Sequence, residues 1–310
     1  MHSYLYSRLV ILLLLSYVTG DAQIPFDTVI SFGDSNTDTD NVYQLTNRTW
    51  PIVPPYHQGR FSNGPVWIER LGVADVDNYA HGGATTDNNF IRGYTASDTI
   101  LVPGVRQQIS IYLNKTKGIA KNFTRRLYVI WVGGNDYYFN QTISPMQVTT
   151  SILNAVKDLL NIGVKHLLLV NQAPVQNMPF VRTEERIIYY RERTIYHNNN
   201  LSIGKQNLDY NHAEVKLYLF DIYSFLLGIA NNYSQYSFNT RAACWNVSNR
   251  QVIDRCSNPE LYIYIDQYHF TAIVHELIGN EVRKFLASLS IMTKASFSIN
   301  LIIFVVLMLL

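Results

Sequence analysis

Short apolar runs alternate with longer segments of helical period through most of this chain, and that alternation leaves few folds open. Thr28–Phe32, Val76–Tyr79, Leu127–Val132, His166–Val170 and Lys216–Asp221 each have the length of a strand. Most are apolar throughout, which suits strands buried on both faces of a parallel sheet. Between and after them Pro65–Leu71, Val102–Leu113, Pro145–Leu160, Arg182–Tyr210 and Ala272–Leu286 carry helical patterns. The second sets Val105, Ile109, Tyr112 and Leu113 on one face. The fourth combines Glu184-Glu185-Arg186 with Arg191-Glu192-Arg193, which reads as a solvated helical face rather than a binding patch. No linker or internal repeat interrupts the series. The pattern predicts one α/β domain with a mainly parallel sheet. Ligands of such sheets collect beyond the C-terminal ends of the strands, so residues with chemistry should follow the strands.

They do. After the first strand comes Gly33-Asp34-Ser35-Asn36, after the second His81-Gly82-Gly83-Ala84, and after the third Gly133-Gly134-Asn135-Asp136. Near the C-terminus stands Asp266-Gln267-Tyr268-His269. These residue types match the needs of acyl transfer. A serine hydroxyl is a weak nucleophile until a histidine takes its proton, and that histidine needs an acid to fix its tautomer and orientation. Ser35, His269 and Asp266 can fill those roles, because an Asp and a His three residues apart meet across one turn. The tetrahedral intermediate carries an oxyanion that preorganised N–H donors stabilise. The backbone N–H groups of Ser35 and Gly83 and the amide of Asn135 can supply them.

The four blocks, in this order, resemble the signature of the GDSL, or SGNH, hydrolases, and they run from residue 33 to 269. Pro54-Pro55-Tyr56-His57-Gln58-Gly59-Arg60-Phe61-Ser62-Asn63-Gly64-Pro65 is similar to the segment that follows the first block in secreted plant and fungal members. The resemblance implies a three-layer α/β/α sandwich of flavodoxin-like order with a five-stranded sheet. It implies a carboxylic ester hydrolase with Ser35 as nucleophile, His269 as base, Asp266 as its partner, and Gly83 and Asn135 in the oxyanion hole. No metal or other cofactor is implied. Two positions depart from the usual pattern: Asn36 stands where Leu is common, and Phe270 where Pro is common. Neither position does chemistry, so shifted specificity or loop geometry is expected there. His57, His81 and His275 read as surface or pocket-wall residues. The 22 tyrosines suit aromatic pocket walls or carbohydrate stacking, and core packing explains them equally well.

Other motifs fail. Asp34-x-Asn36-x-Asp38 opens like a calcium loop, but its sixth position is Thr39 and its twelfth Leu45. His275-Glu276 lacks the second histidine of a zinc-protease helix, and no Gly-x-Ser-x-Gly elbow is present. A net charge of +2 without a long basic run argues against nucleic acid as a partner. The expected partner is a small-molecule, polysaccharide or lipid ester.

The ends and the cysteines bear on location. Residues 1–22 run from Arg8 through an apolar stretch to Gly20 and Ala22, the make-up of a secretory signal peptide. Residues 23–290 would then form the hydrolase domain. The hydrophobic tail, 291–310, resembles a GPI-attachment signal with a poor spacer; the alternative is an amphipathic tail that packs on the body or stays membrane-associated. Seven Asn-x-Ser/Thr sites, at Asn47, Asn114, Asn122, Asn140, Asn200, Asn232 and Asn246, fit a secreted glycoprotein. The only cysteines, Cys244 and Cys256, would form one local disulfide in that compartment. The expectation is an extracellular protein, with cell-surface anchoring if the tail is lipidated.

Overall fold

The computed structural model describes residues 24–119, 122–232 and 236–289. The signal-peptide stretch and the whole hydrophobic tail lie outside the described residues. One compact unit spans Phe26–Asn280 and holds the sheet; the chain ends form a second, in which residues 281–289 are helical.

Five strands make the central sheet: β1 (Thr28–Gly33), β2 (Asp75–Asn78), β5 (Arg126–Trp131), β6 (His166–Val170) and β7 (Lys216–Phe220). Their order is β2-β1-β5-β6-β7 and every pairing is parallel. The register aligns Ile30, Tyr128, Leu167 and Leu217 in one row. That row faces a core built from α2 (Val105–Lys115), α4 (Pro145–Leu160) and α5 (Glu184–Asn211), through Ile109, Ile152, Leu159 and Leu201 among others. On the opposite face Trp131 meets Trp67 edge-on at 5.6 Å. β1 lies between β2 and β5, so the chain leaves it toward one neighbour and returns on the other side. The crevice that this reversal opens lies at the end of β1, just before Ser35.

All five predicted strands form, within one residue at each end. β2 differs in character: as an edge strand paired only with β1, its Asp75-Val76-Asp77-Asn78 is half to fully exposed. α4 matches its predicted span because Ser144 and Gln147 make a reciprocal cap and Pro145 opens the first turn. Two other predicted helices shorten. Pro103-Gly104 splits Val102–Leu113, leaving Val102 in β4 (Ile100–Val102), paired with β3 (Gly93–Thr95), and starting α2 at Val105. Pro65–Leu71 reduces to a single 3₁₀ turn, Trp67–Arg70, because the Glu69 carboxylate takes the Val66 N–H at 2.8 Å and Gly72 breaks out at φ +73°. The short helices α1 (Asn41–Leu45), α3 (Gly134–Phe139) and α6 (Ile222–Asn231) carried too little periodicity to be read in advance. So did the small β8–β11 region: β8 (Asn239–Ala243), β9 (Trp245–Ser248), β10 (Gln251–Arg255) and β11 (Tyr262–Tyr264). A last helix, α7, begins at residue 272.

Candidate active site

The turn that follows β1 is fixed by its own backbone. The Thr37 and Asp38 N–H groups both donate to the Asp34 carbonyl at 3.0 Å, and the Asn36 N–H donates to the Asp34 carboxylate at 3.0 Å. Gln108 of α2 closes both backbone groups of Gly33 at 2.9 Å each, which ends the strand and leaves Ser35 at the crevice, 9% exposed.

Across that crevice the Ser35 hydroxyl lies 2.9 Å from His269 Nε2. His269 Nδ1 lies 2.8 and 2.9 Å from the two oxygens of Asp266. Asp266 Oδ1 also accepts the backbone N–H groups of Tyr268 and His269, so the acid orients the histidine's backbone as well as its ring. The other oxygen accepts the Tyr56 hydroxyl at 2.5 Å. Burial works against charge on Asp266, but the His269 ring, its hydrogen bond and the Tyr56 hydroxyl outweigh it and hold this carboxyl below its ordinary range.

Tyr56 belongs to a segment that contacts this loop through several residues. The Phe61 ring lies against the His269 ring at 5.0 Å, Ser62 donates its hydroxyl to the Phe270 carbonyl, and Asn63 accepts the Ala272 N–H. The Cys244–Cys256 disulfide forms as expected and closes the β9–β10 hairpin. That hairpin donates Trp245 N–H to the Ile265 carbonyl at 2.7 Å, one residue before Asp266, and its Trp245 ring meets Tyr56 at 5.1 Å. The sequence carried these residues as a motif but gave no role to any of them. Their partners are about 200 positions away, and only the fold pairs them.

The Gly83 turn is held from both sides. Asp38 accepts the Gly82 N–H at 2.8 Å while also receiving the Asp40, Asn41 and Val42 N–H groups at the start of α1. Asp136 accepts the Thr86 N–H and hydroxyl, and Asn135 donates to the Ala84 carbonyl at 2.9 Å. Gly83 sits at φ +89°, and a Cβ there would lie 2.0 Å from the Tyr94 carbonyl oxygen, so only glycine fits. Among the described residues neither the Ser35 nor the Gly83 N–H donates to a protein acceptor. With the Asn135 amide, they converge on one cavity of about 310 Å³ that Ser35 and His269 also line. Burial pushes Asp34 up to about 6 against its Asn36 bond, and Asp38 and Asp136 up to about 7 against their N–H donors.

The cavity walls are aromatic, with Trp50, Tyr94, Tyr138, Phe139, Phe180 and Tyr268 among them. Other tyrosines pack the core, Tyr112 and Tyr128 with their hydroxyls 2.6 Å apart, so both readings of the tyrosine content hold. Three expectations need correction. His275 is neither surface nor wall: it is 1% exposed, accepts the Trp67 N–H at 3.4 Å, and burial drives its imidazole down to about 3. His57 and His81 are half-buried but stand outside the cavity lining. Nor is the charged face of α5 wholly solvated, since Arg193 turns into the cavity wall. Of the departures, Asn36 lines the cavity, while Phe270 is fully buried and stacks on Tyr264 at 5.5 Å. Among the glycosylation candidates Asn47, Asn114, Asn122, Asn140 and Asn246 are exposed; Asn200 and Asn232 are half-buried.

A sequence model of the GDSL-like lipase/acylhydrolase family matches residues 29–282. The chain belongs to that family. It is a family of carboxylic ester hydrolases, and its match takes in every residue of the hydrogen-bonded chain described above. Among GDSL relatives, a phosphatidylcholine-sterol acyltransferase of Aeromonas hydrophila is 28% identical over 198 residues, 61% of this chain and 57% of that protein. A thermolabile hemolysin of Vibrio parahaemolyticus is 24% identical over 273 residues, 82% of this chain and 62% of that protein. The chain thus spans less than two thirds of the length of either bacterial relative. A GDSL esterase/lipase of Arabidopsis thaliana is 22% identical over 331 residues, 83% of this chain and 84% of that protein.

Proposed function

We propose that this protein is a secreted serine esterase or lipase that hydrolyses carboxylic esters through an acyl-enzyme on Ser35. The observation that carries the reading is the continuous hydrogen-bonded chain Ser35–His269–Asp266–Tyr56 opening onto an aromatic cavity. In the first half-reaction Ser35 Oγ attacks the ester carbonyl as its proton passes to His269 Nε2, and Asp266 stabilises the imidazolium. The tetrahedral oxyanion accepts the Ser35 and Gly83 N–H groups and the Asn135 amide. His269 returns the proton to the departing alcohol, leaving Ser35 acylated. Water, deprotonated by His269, then attacks the acyl carbonyl, and collapse releases the acid with the proton back on Ser35. A second reading follows the Aeromonas relative, named an acyltransferase: an alcohol replaces water in the last step, with a phospholipid as acyl donor. The Cys244–Cys256 disulfide supports secretion, because such bonds are rare in reducing compartments.

The test is hydrolysis of p-nitrophenyl esters from acetyl to palmitoyl by the purified protein beside Ser35→Ala. Turnover that the substitution removes by at least about 10⁴-fold supports the assignment. A folded wild-type protein that neither turns over any ester nor reacts with a fluorophosphonate is instead a non-catalytic carbohydrate- or lipid-binding protein on this scaffold.

A further inference from the structure

Arg193 is one of two arginines lining the cavity, with Arg250, that the proposed chemistry does not use. It projects from α5 between two rings, its guanidinium carbon 5.1 Å from the centre of Tyr137 and 4.9 Å from that of Tyr189. Ring faces attract the cation, but they satisfy only the faces of the planar group. Its five N–H donors radiate from the edge, where they need acceptors. Among the described residues Nε and Nη2 are buried without a hydrogen-bond partner. Tyr137 cannot help, since its hydroxyl is bonded to His197 Nδ1 at 2.8 Å.

The carboxylates lining the same cavity are engaged elsewhere. Asp266 holds His269 and Tyr56, Asp34 holds Asn36, and Asp98 receives the Tyr138 hydroxyl. None of them forms an ion pair with Arg193 among the described residues. An adjoining groove shares the wall of Tyr138, Phe180, Tyr190 and Tyr268, and there Arg186, about two turns earlier on the same face of α5, repeats the arrangement, stacked on Phe180 and Tyr190 at 5.6 and 5.7 Å. A half-buried cation without a counter-ion, stacked on Tyr137 two residues after Asn135 in α3, is costly unless something else supplies the negative charge.

We propose that Arg193 is an anion subsite, and that the preferred substrate is an ester bearing a phosphodiester or carboxylate group apart from the ester being cleaved. The proposal rests on the esterase reading and goes beyond it by naming the substrate's second functional group. The anion accepts from the guanidinium edge while the ester carbonyl lies at Ser35, so substrate charge completes a site that the protein leaves half-built.

Two matched pairs of esters test it. One compares a p-nitrophenyl alkanoate with the p-nitrophenyl monoester of a dicarboxylic acid of similar length. The other compares a 1-monoacylglycerol with the lysophosphatidylglycerol of the same acyl chain. Expected are a higher kcat/KM for the anionic member of at least one pair, and a fall of about tenfold or more in the anionic-to-neutral ratio in Arg193→Gln, carried by KM. A response confined to the second pair identifies a lipid phosphodiester, and one confined to the first identifies a carboxylate in the acyl part. The wild-type protein gives an independent reading: the anionic preference should weaken as salt rises. Hydrolysis of the neutral esters with no anionic preference, or a ratio that ignores both salt and Arg193→Gln, overturns the subsite and leaves the esterase reading intact. No hydrolysis of any ester overturns both.

Discussion

Two loops close over Ser35, and each hangs on a buried carboxylate, yet the two carboxylates are driven in opposite directions. Asp266 is 2% exposed and held below its ordinary range; Asp136 is fully buried and pushed up to about 7. Burial disfavours charge at both. The difference lies in the partners. Asp266 faces a histidine that can become a cation and receives a tyrosine hydroxyl and two N–H groups besides. Asp136 receives only the neutral N–H and hydroxyl of Thr86, and Asp34 lies close enough to oppose its ionisation. One loop is therefore arranged to support developing positive charge on His269. The other is arranged to hold the Gly83 turn in place, a task that needs hydrogen bonds and no charge.

If this contrast is right, substitutions that keep shape but remove charge should separate the two loops. Asp266→Asn should lower kcat by about 10³–10⁴, because the imidazolium loses its counter-charge and the tautomer its orientation. A variant within tenfold of wild type in steady-state assays would show that His269 does not depend on this acid. Asn135→Ala should cost about 10²–10³ in kcat, the loss of one oxyanion donor. Full activity there would mean that the Gly83 side builds the hole alone. Tyr56→Phe should reduce kcat by about tenfold and leave KM nearly unchanged, since the hydroxyl supports Asp266 without reaching substrate. An effect on KM instead would show that the Tyr56 hydroxyl touches substrate from the cavity that Tyr56 lines.

The smallest effect is in stability against pH. The folded carboxyl of Asp136 takes up its proton at a higher pH than the unfolded one, so between about pH 4 and 7 the native state binds more protons. Stability from this group is full below about 4 and falls as pH rises to about 7. Asp136→Asn should flatten that fall in melting curves. Asp266 has the opposite sign: its contribution is present above the ordinary carboxylate range and is lost as pH drops through the lowered folded value. Asp266→Asn should therefore leave the neutral slope alone and soften acid denaturation. Parallel melting profiles for the two variants would remove the distinction between the loops.

The same contrast runs between what could be read in advance and what could not. β1, β5, β6 and α4 were legible because each obeys a local rule: a continuous apolar run for a doubly covered strand, and a Ser-Pro-x-Gln start for the helix. Ser35, Gly83, Asn135, Asp266 and His269 were legible because a short block at a strand end recurs four times in a fixed order. Tyr56, Phe61, Ser62 and Asn63 were not, because nothing local marks a tyrosine that will meet an aspartate 210 positions later. His275 was misread for a similar reason, since nothing local marks a histidine that will accept the N–H of Trp67, 208 positions earlier. Its burial against Phe270 and Trp67 is a property of how helix and strand pack.

The sequence alone determined the order of the elements, the sheet class and which residues are proposed for acyl transfer. Periodicity and turn chemistry act over a few residues and are written directly in the chain. Tertiary structure decided which carboxylates hold charge, which tyrosines line the cavity rather than the core, and that Arg193 faces the cavity instead of solvent. Those outcomes depend on burial and on partners brought together across the fold. Ionisation and hydrogen-bond satisfaction are set by the whole environment of a group and not by its neighbours in sequence.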